Sequence, residues 1–230
     1  MPTEHLFATG AQAAADIATR IAALLSDAIA ARGVASIALS GGRSPRPVLE
    51  ALSEADLDWS KLVVTLVDER WVAPDSADSN ERLVRETLLQ GAAAAARFVP
   101  MKNEAADAYA GQAAVEADFA ALPWPLDIIL LGMGDDGHTA SLFPEGKELA
   151  EGLASQALTI AATPPAAPHQ RLSLTAHAIL QSRHIFLQIG GAGKKAVYDR
   201  ALSGGRQEEL PIRLALLQDT VPVDVWIADG

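Results

Sequence analysis

The sequence predicts an α/β fold: a mostly parallel, doubly wound, Rossmann-like sheet with helices on both faces. Helical and strand-like segments alternate along the chain, which is typical of β-α-β units. The strand-like segments are short apolar runs, as in strands that are buried on both faces. Glycine-rich segments follow two of these runs, where open α/β sheets bind ligands. Half of the 230 residues are hydrophobic, so we expect one continuous domain over residues 1–230.

The first helix has the clearest pattern. Gly33 supplies its stop, and residues 10–32 carry apolar side chains at helical spacing, namely Ile17, Ile21, Leu24, Leu25 and Ile29. Further helical patterns cover about 45–55, 79–95, 104–121 and 193–202. Strands are predicted at 34–39, 62–67, 126–131, 172–174, 185–189 and 223–227.

Composition restricts the class of partner. The formal net charge of −11 argues against nucleic acid, so an anionic substrate would need a local cluster of Arg and Lys. The chain has no cysteine, which excludes disulfides and thiolate catalysis and is consistent with a reducing compartment. Residues 1–10 lack the basic start of a signal peptide, and charges interrupt the alanine-rich segment that follows. We therefore expect a cytoplasmic protein without a membrane span, and no obligate protein partner is inferred.

The segment LGMGDDGHTASLFP at 131–144 is the first candidate site. It follows an apolar run that is short enough to be a buried parallel strand, and then breaks into three glycines, two aspartates and a histidine. His138 is the leading candidate for proton transfer, because histidine titrates near neutral pH. The alternative is that His138 only satisfies a hydrogen bond in a structural turn, but the surrounding glycines and aspartates favour function.

The same segment contains G-x-G-x-x-G directly after a strand, the pattern of dinucleotide-binding sites. In such a site the residues between the last two glycines face a pyrophosphate at a helix N-terminus. Here those residues are Asp135 and Asp136, whose charges repel a pyrophosphate. We therefore favour a sugar phosphate over a nicotinamide dinucleotide.

The segment SGGRSP at 40–45 is the second candidate site. Two glycines, Ser44 as N-cap and Pro45 at the first helical position would leave free amides for a phosphate, and Arg43 adds charge. An ordinary turn between a strand and a helix uses the same residue types. A nucleophile elbow at Ser40 is a further alternative, since ALSGG is one residue away from G-x-S-x-G.

The segment VDERWV at 67–72 is the third candidate site, again at the end of an apolar strand. Asp68, Glu69 and Arg70 are suited to orient a base, to bind sugar hydroxyls or to form a surface ion pair. Trp71 would cover either a ligand or the core. Taken alone, this stretch does not decide between these roles.

Five segments match one known family: SGGRSP at 40–45, DERWV at 68–72 with Ser79 and Asn80, GMGDDGHTASLFP at 132–144, PHQRLSLT at 168–175 and GAGK at 191–194. Together they resemble the 6-phosphogluconolactonase branch of the superfamily that includes glucosamine-6-phosphate deaminase. The resemblance runs from about residue 40 to the final strand. Deaminases typically carry asparagine where Asp135 stands and a different sequence at 139–144, which favours the lactonase branch. Gln170 is a departure, because a second basic residue is common there.

The resemblance implies hydrolysis of 6-phospho-D-glucono-1,5-lactone to 6-phosphogluconate, the second step of the oxidative pentose phosphate pathway, without a metal or organic cofactor. Attack of water on a lactone needs a base and a group that stabilises the oxyanion. His138 is implied as the base, Asp68 or Asp136 as the residue that orients it, and Arg70 as the cation near the developing charge. The residues implied in holding the substrate phosphate are Ser40, Gly41, Gly42, Arg43, Arg171 and Lys194.

Three other functions stay open at this point. A sugar-phosphate isomerase or deaminase on the same fold would use Asp68 to move a proton between carbons. A non-catalytic sugar-phosphate sensor would use only the phosphate-binding residues. A metal hydrolase built on Asp135, Asp136 and His138 is less favoured, since no second histidine stands at ligand spacing.

Overall fold

The computed structural model describes residues 1–228, which contain ten strands. They are β1 (Thr3–Phe7), β2 (Ala35–Leu39), β3 (Leu62–Leu66), β4 (Asp68–Arg70), β5 (Arg97–Phe98), β6 (Leu126–Leu131), β7 (Thr159–Ala162), β8 (Arg171–Leu174), β9 (Ser182–Gly190) and β10 (Val223–Ala228). The α-helices are α1 (Gly10–Arg32), α2 (Arg46–Ser53), α3 (Asn80–Thr87), α4 (Ala108–Ala120), α5 (Leu149–Ala154), α6 (Ala176–Leu180), α7 (Gly191–Leu202) and α8 (Arg213–Leu216).

Seven strands form one parallel sheet in the order β1-β10-β9-β6-β2-β3-β5, and helices flank it. Strands β2, β3 and β6 lie in its interior and are buried along their whole length. This explains why they are continuous apolar runs and do not alternate between apolar and polar residues. The predicted parallel α/β fold is confirmed.

The order of the strands reverses between β2 and β6. After β2 the chain builds outward through β3 and β5, and it then returns to the other side of β2 through β6, β9 and β10. Such a switch point leaves a crevice outside the carboxyl ends of the two central strands. The segments 40–45 and 132–138 follow these two strands, so the fold brings them together at the crevice.

A second, three-stranded antiparallel sheet in the order β4-β8-β7 was not predicted. The predicted strand at 172–174 belongs to this sheet and not to the main one. Val67 joins the two sheets, because its N–H donates to the carbonyl oxygen of Leu39 and its own carbonyl oxygen accepts from Leu174 N–H, at 3.0 and 2.8 Å. The chain therefore changes sheets within one residue, which places Asp68 and Arg70 beside the crevice.

The helices agree with the sequence patterns best where tertiary packing reinforces them. Helix α1 ends at Gly33 with φ 77°, as predicted, and Gly33 N–H donates to the Ile29 carbonyl oxygen at 2.8 Å. The predicted helix at 79–95 is wrong in its second half: α3 ends at Thr87 and a 3₁₀ turn covers Gly91–Ala95. Edge strand β1 was missed, since its five residues carry little of the apolar pattern of a central strand. Within residues 1–228, no helix combines the length and apolar character needed to cross a membrane.

Candidate active site

A cleft of about 230 Å³ lies at the switch point of the parallel sheet. Eight of the ten residues to which the sequence analysis gives a catalytic or phosphate-binding role line it: Ser40, Gly41, Gly42, Arg43, Asp68, Arg70, His138 and Lys194. Asp136 and Arg171 do not line the cleft; Asp136 contacts His138, and Arg171 lies opposite Arg70 in the small sheet. The structure thus gathers segments that are up to about 150 residues apart in sequence, as expected for loops at the carboxyl ends of neighbouring parallel strands.

Asp136 and His138 form a hydrogen-bonded pair at the edge of the cleft. Asp136 Oδ1 lies 2.6 Å from His138 Nδ1 and also accepts the His138 backbone N–H at 3.0 Å. The bond to the imidazole is the main cause that lowers the pKa of Asp136, so this carboxylate stays ionised to lower pH than a free aspartate. With Nδ1 donating to Asp136, Nε2 carries the lone pair. The Phe143 ring packs against the imidazole at a centroid distance of 4.5 Å.

Two glycines permit this geometry. A Cβ atom on Gly134 would lie 2.2 Å from His138 Nδ1 and 2.6 Å from Asp136 Oδ1, so a side chain there would displace the pair. Gly137 has φ 81°, and a Cβ on it would lie 2.4 Å from the Leu210 side chain. The turn is closed by Gly134 N–H, which donates to the His138 carbonyl oxygen at 2.9 Å. These glycines serve a tight turn around His138, as the sequence pattern indicated.

Asp68 lies in the same cleft but has different partners. Its Oδ2 accepts a hydrogen bond from Ser141 Oγ at 2.6 Å, and its backbone oxygen accepts from Asn80 Nδ2 at 2.8 Å. The sequence left open whether Asp68 or Asp136 contacts the histidine, and the geometry pairs His138 with Asp136. A Cβ on Gly41 would lie 1.7 Å from Asn80 Oδ1, so this glycine lets the Asn80 amide approach Asp68.

Glu69 holds the segment that carries Asp68 and Arg70. It points away from the cleft and accepts four hydrogen bonds: from the backbone N–H groups of Arg70, Asn80 and Glu81 and from Ser79 Oγ, at 2.6 to 3.0 Å. Burial raises the pKa of Glu69, while these hydrogen bonds act in the opposite direction. The carboxylate therefore ties the end of β4 to the start of α3.

The basic residues differ in position. Arg70 Nη1 donates to the Asp78 carbonyl oxygen at 2.6 Å, and its buried Nε has no partner within residues 1–228. Arg171 is 6% exposed, and its Nη2 donates to the Pro168 carbonyl oxygen at 3.2 Å. Burial is the main cause that lowers the pKa of Arg171, followed by the nearby charge of Arg70. Arg43 lies on the exposed loop after β2, and Lys194 lies in the first turn of α7.

The structure bears on two expectations for the 40–45 segment: Ser44 as the N-cap of α2 and Ser40 as a nucleophile. Ser44 is not the N-cap of α2: Pro45 takes that position, no side chain caps the helix, and the helix begins at Arg46. The first amides of α2 are therefore without a side-chain acceptor on the side of the cleft. Ser40 lines the cleft and is buried, but no hydrogen bond joins its hydroxyl to His138 within residues 1–228, which gives no support to a nucleophile elbow.

Several residues were missed or left unassigned by the sequence patterns. Gln188, in β9, lines the cleft, and its Oε1 is buried without a hydrogen-bond partner in the described chain. A polar side chain inside the apolar run 185–189 was a usable signal. Gln170, the departure from the family pattern, accepts the Ala108 backbone N–H at 3.1 Å and thereby supports the start of α4. Within residues 1–228, no group of three or more His, Asp or Glu side chains is arranged to hold a metal ion.

The fold and the cleft define a class: an α/β protein whose parallel sheet presents an Asp–His pair and several cations at its switch point, suited to a small anionic ligand. The chain belongs to the glucosamine-6-phosphate isomerases/6-phosphogluconolactonase family, whose model matches residues 8–225.

Similar proteins lie in one branch of that family. A 6-phosphogluconolactonase of Pseudomonas putida is 45% identical over 224 residues, which cover 96% of this chain and 91% of the relative. One of Rhizobium meliloti (strain 1021) is 42% identical over 226 residues and 97% of both chains. The crystal structure of a 6-phosphogluconolactonase from Shewanella baltica OS155 superposes with a TM-score of 0.98 at 42% identity, covering 99% of this chain and 98% of that one.

We predict that Glu69→Gln destabilises the protein. An amide group would place an NH₂ against backbone N–H donors that now face a carboxylate oxygen, so at least one of these backbone hydrogen bonds would be lost. The expected loss in the free energy of unfolding is about 1 to 3 kcal/mol, measured by urea denaturation. Glu86→Gln on the exposed face of α3 is the control. Equal stability of the two variants would contradict the anchoring role of Glu69.

We predict that Gly134→Ala breaks the Asp136–His138 hydrogen bond without unfolding the chain, because the added methyl meets only the ends of two side chains. The free energy of unfolding should change by less than about 1 kcal/mol. A slowly exchanging His138 Nδ1 proton should be visible by NMR in the wild type and absent in the variant. Gly10→Ala, where a Cβ meets open space, is the control. An unchanged Nδ1 proton signal in Gly134→Ala would refute the steric argument.

Proposed function

We propose that this chain hydrolyses 6-phospho-D-glucono-1,5-lactone to 6-phosphogluconate. The observation that carries the proposal is the Asp136–His138 pair, which stands beside cationic side chains in a cleft at the switch point. Close relatives that bear the name 6-phosphogluconolactonase support the choice of substrate. The reacting groups in the proposed hydrolysis are side chains of the protein, the lactone and one water molecule.

His138 would act as the general base. Asp136 accepts a hydrogen bond from Nδ1–H, so the Nε2 lone pair is free to take a proton from a water molecule as the water oxygen bonds to the lactone carbonyl carbon. The carbonyl electrons move onto oxygen, and Arg70 would stabilise this oxyanion. The ring C–O bond then breaks, and the imidazolium returns the proton to the departing ring oxygen. Release of the carboxylic acid proton to water gives 6-phosphogluconate.

The substrate phosphate would be bound on the other side of the cleft. Lys194 supplies one charge, and the backbone of Ser40, Gly41 and Gly42 supplies amide donors near the uncapped start of α2. Arg43 would add a second charge from the loop. Arg171 would act from behind Arg70 by raising the local positive potential, because it is not among the residues that line the cleft.

The family also contains isomerases, and the position of Asp68 is the observation that favours an isomerase as the second candidate function. Asp68 is 8% exposed and lines the cleft, so an acid that could move a proton between substrate carbons is present. Asp68 Oδ2, however, already accepts a hydrogen bond from the Ser141 hydroxyl at 2.6 Å. The Asp136–His138 pair is the more complete acid–base unit, which favours the lactonase.

His138→Gln tests the proposed base. Loss of general base catalysis should lower kcat by about 10²- to 10⁴-fold, while the affinity for 6-phosphogluconate should change little because the phosphate is bound elsewhere. Rates are measured on freshly generated lactone and corrected for spontaneous hydrolysis. His177→Gln in α6 is the control, and a His138→Gln variant with more than half of the wild-type kcat would exclude His138 as the base.

Gln188→Leu tests a second feature of the site. We propose that the buried Gln188 Oε1 accepts a hydrogen bond from a hydroxyl of the bound sugar, since a buried acceptor without a partner destabilises the protein. The variant should bind 6-phosphogluconate about three- to tenfold more weakly, yet unfold at a slightly higher temperature when unliganded. Calorimetry measures both quantities, with the exposed Gln156→Leu as control. Unchanged affinity for 6-phosphogluconate would argue that Gln188 does not contact the ligand.

A further inference from the structure

A second cleft of about 320 Å³ opens beside the first, and arginines dominate its lining. Arg43 and Arg70 border both clefts, whereas Arg46 on α2 and Arg82 on α3 line only the second. Glu86 is the one acidic residue in its lining within residues 1–228. The second cleft is therefore strongly cationic in a chain whose net charge is −11.

The neighbours of these arginines leave much of the charge uncompensated. Arg82 pairs with Glu86 at 2.7 Å, and Arg46 reaches Glu50 only at 3.5 Å. Arg43 forms no ion pair within residues 1–228, and Arg70 has a backbone carbonyl as its hydrogen-bond acceptor while its buried Nε has none. Like charges held together in this way repel one another unless an anion joins them.

Arg171 adds a further positive charge behind Arg70, while the carboxylates of Asp68, Glu69 and Asp78 act on it with the opposite sign. The two residues are direct partners in the β4–β8 ladder, and the pKa of Arg171 is lowered by its burial and, next, by the charge of Arg70. The buried Nε of Arg171 also has no acceptor within the described chain. Arg171 lines neither cleft, so the donor that bears on the second cleft is the buried, unpartnered Nε of Arg70, which indicates that an anionic acceptor belongs beside these guanidinium groups.

The substrate of the proposed reaction has a single phosphate, which the function proposed above assigns to Lys194, the loop amides of the first cleft and Arg43, which borders both clefts. The guanidinium groups of the second cleft offer more donor pairs than the oxygens of one phosphate can take. We propose that the second cleft is a separate anion site that binds a linked diphosphate group, either as inorganic pyrophosphate or as part of a nucleotide. Because Arg43 and Arg70 border both clefts, an occupant of the second cleft would inhibit lactone hydrolysis.

The test is calorimetric titration of the full-length protein with pyrophosphate at constant ionic strength, which needs no turnover. One pyrophosphate should bind, and the double variant Arg46→Gln/Arg82→Gln should weaken binding by about tenfold or more, with lactone kcat/KM within about twofold of wild type. Arg46→Gln alone changes one exposed side chain and should weaken binding in the same direction. Arg85→Gln, on α3 outside the cleft, should bind as wild type does.

Two further arms locate and identify the anion. Lys194→Gln should leave the affinity for pyrophosphate unchanged and should weaken the binding of 6-phosphogluconate. Tighter binding of adenosine diphosphate than of pyrophosphate would identify a nucleotide as the ligand, and equal binding would identify the diphosphate group alone. No binding to wild type, binding that persists in the double variant, or binding that is lost in Lys194→Gln would overturn the proposal. Because binding is measured without lactone, these results do not depend on whether the protein is a lactonase.

Discussion

The hydrogen bond between Asp136 and His138 is the interaction on which the chemistry proposed for this cleft depends. It fixes which imidazole nitrogen carries the lone pair, and it keeps the aspartate ionised by lowering its pKa. The pair forms within three residues of chain, which is possible because Gly134 leaves room for both side chains. Its position follows from the sheet, since the turn begins where β6 ends at the switch point. The position of His138 therefore depends both on the local turn at Gly134 and on the strand order of the sheet.

A second constraint is the passage of the chain from the parallel to the antiparallel sheet at Val67. Because backbone hydrogen bonds tie Val67 to both sheets, the residues after it cannot follow the path of β3. Glu69 then fixes the next segment through four accepted hydrogen bonds and so determines where Asp68 and Arg70 stand. The adjacent acids 68 and 69 thus divide their roles: one faces the cleft, and the other organises the backbone behind it.

The sequence carries the parallel fold and most of the cleft, because both are encoded locally. Buried central strands are apolar runs, and the turns after them need glycine, so the loops that contain Gly41 and His138 could be recognised. The three-stranded sheet could not be predicted, since its β4–β8 pairing joins residues about 100 positions apart and its strands have only three or four residues. The burial of Arg171 and the choice of Asp136 over Asp68 depend on the same long-range pairing. The N-cap of α2 is Pro45 and not the predicted Ser44, a difference of one residue, and amino-acid preferences do not define a helix end to within one residue.

The proposed function requires that the cleft hydrolyses a sugar-phosphate lactone without moving protons between carbons. The most direct measurement is an NMR time course of freshly prepared 6-phospho-D-glucono-1,5-lactone with wild-type protein in deuterated water. We expect conversion to 6-phosphogluconate at a rate proportional to protein concentration and above spontaneous hydrolysis, with no deuterium on carbon. Conversion at the spontaneous rate, or deuterium on carbon at a rate that follows protein concentration, would contradict it.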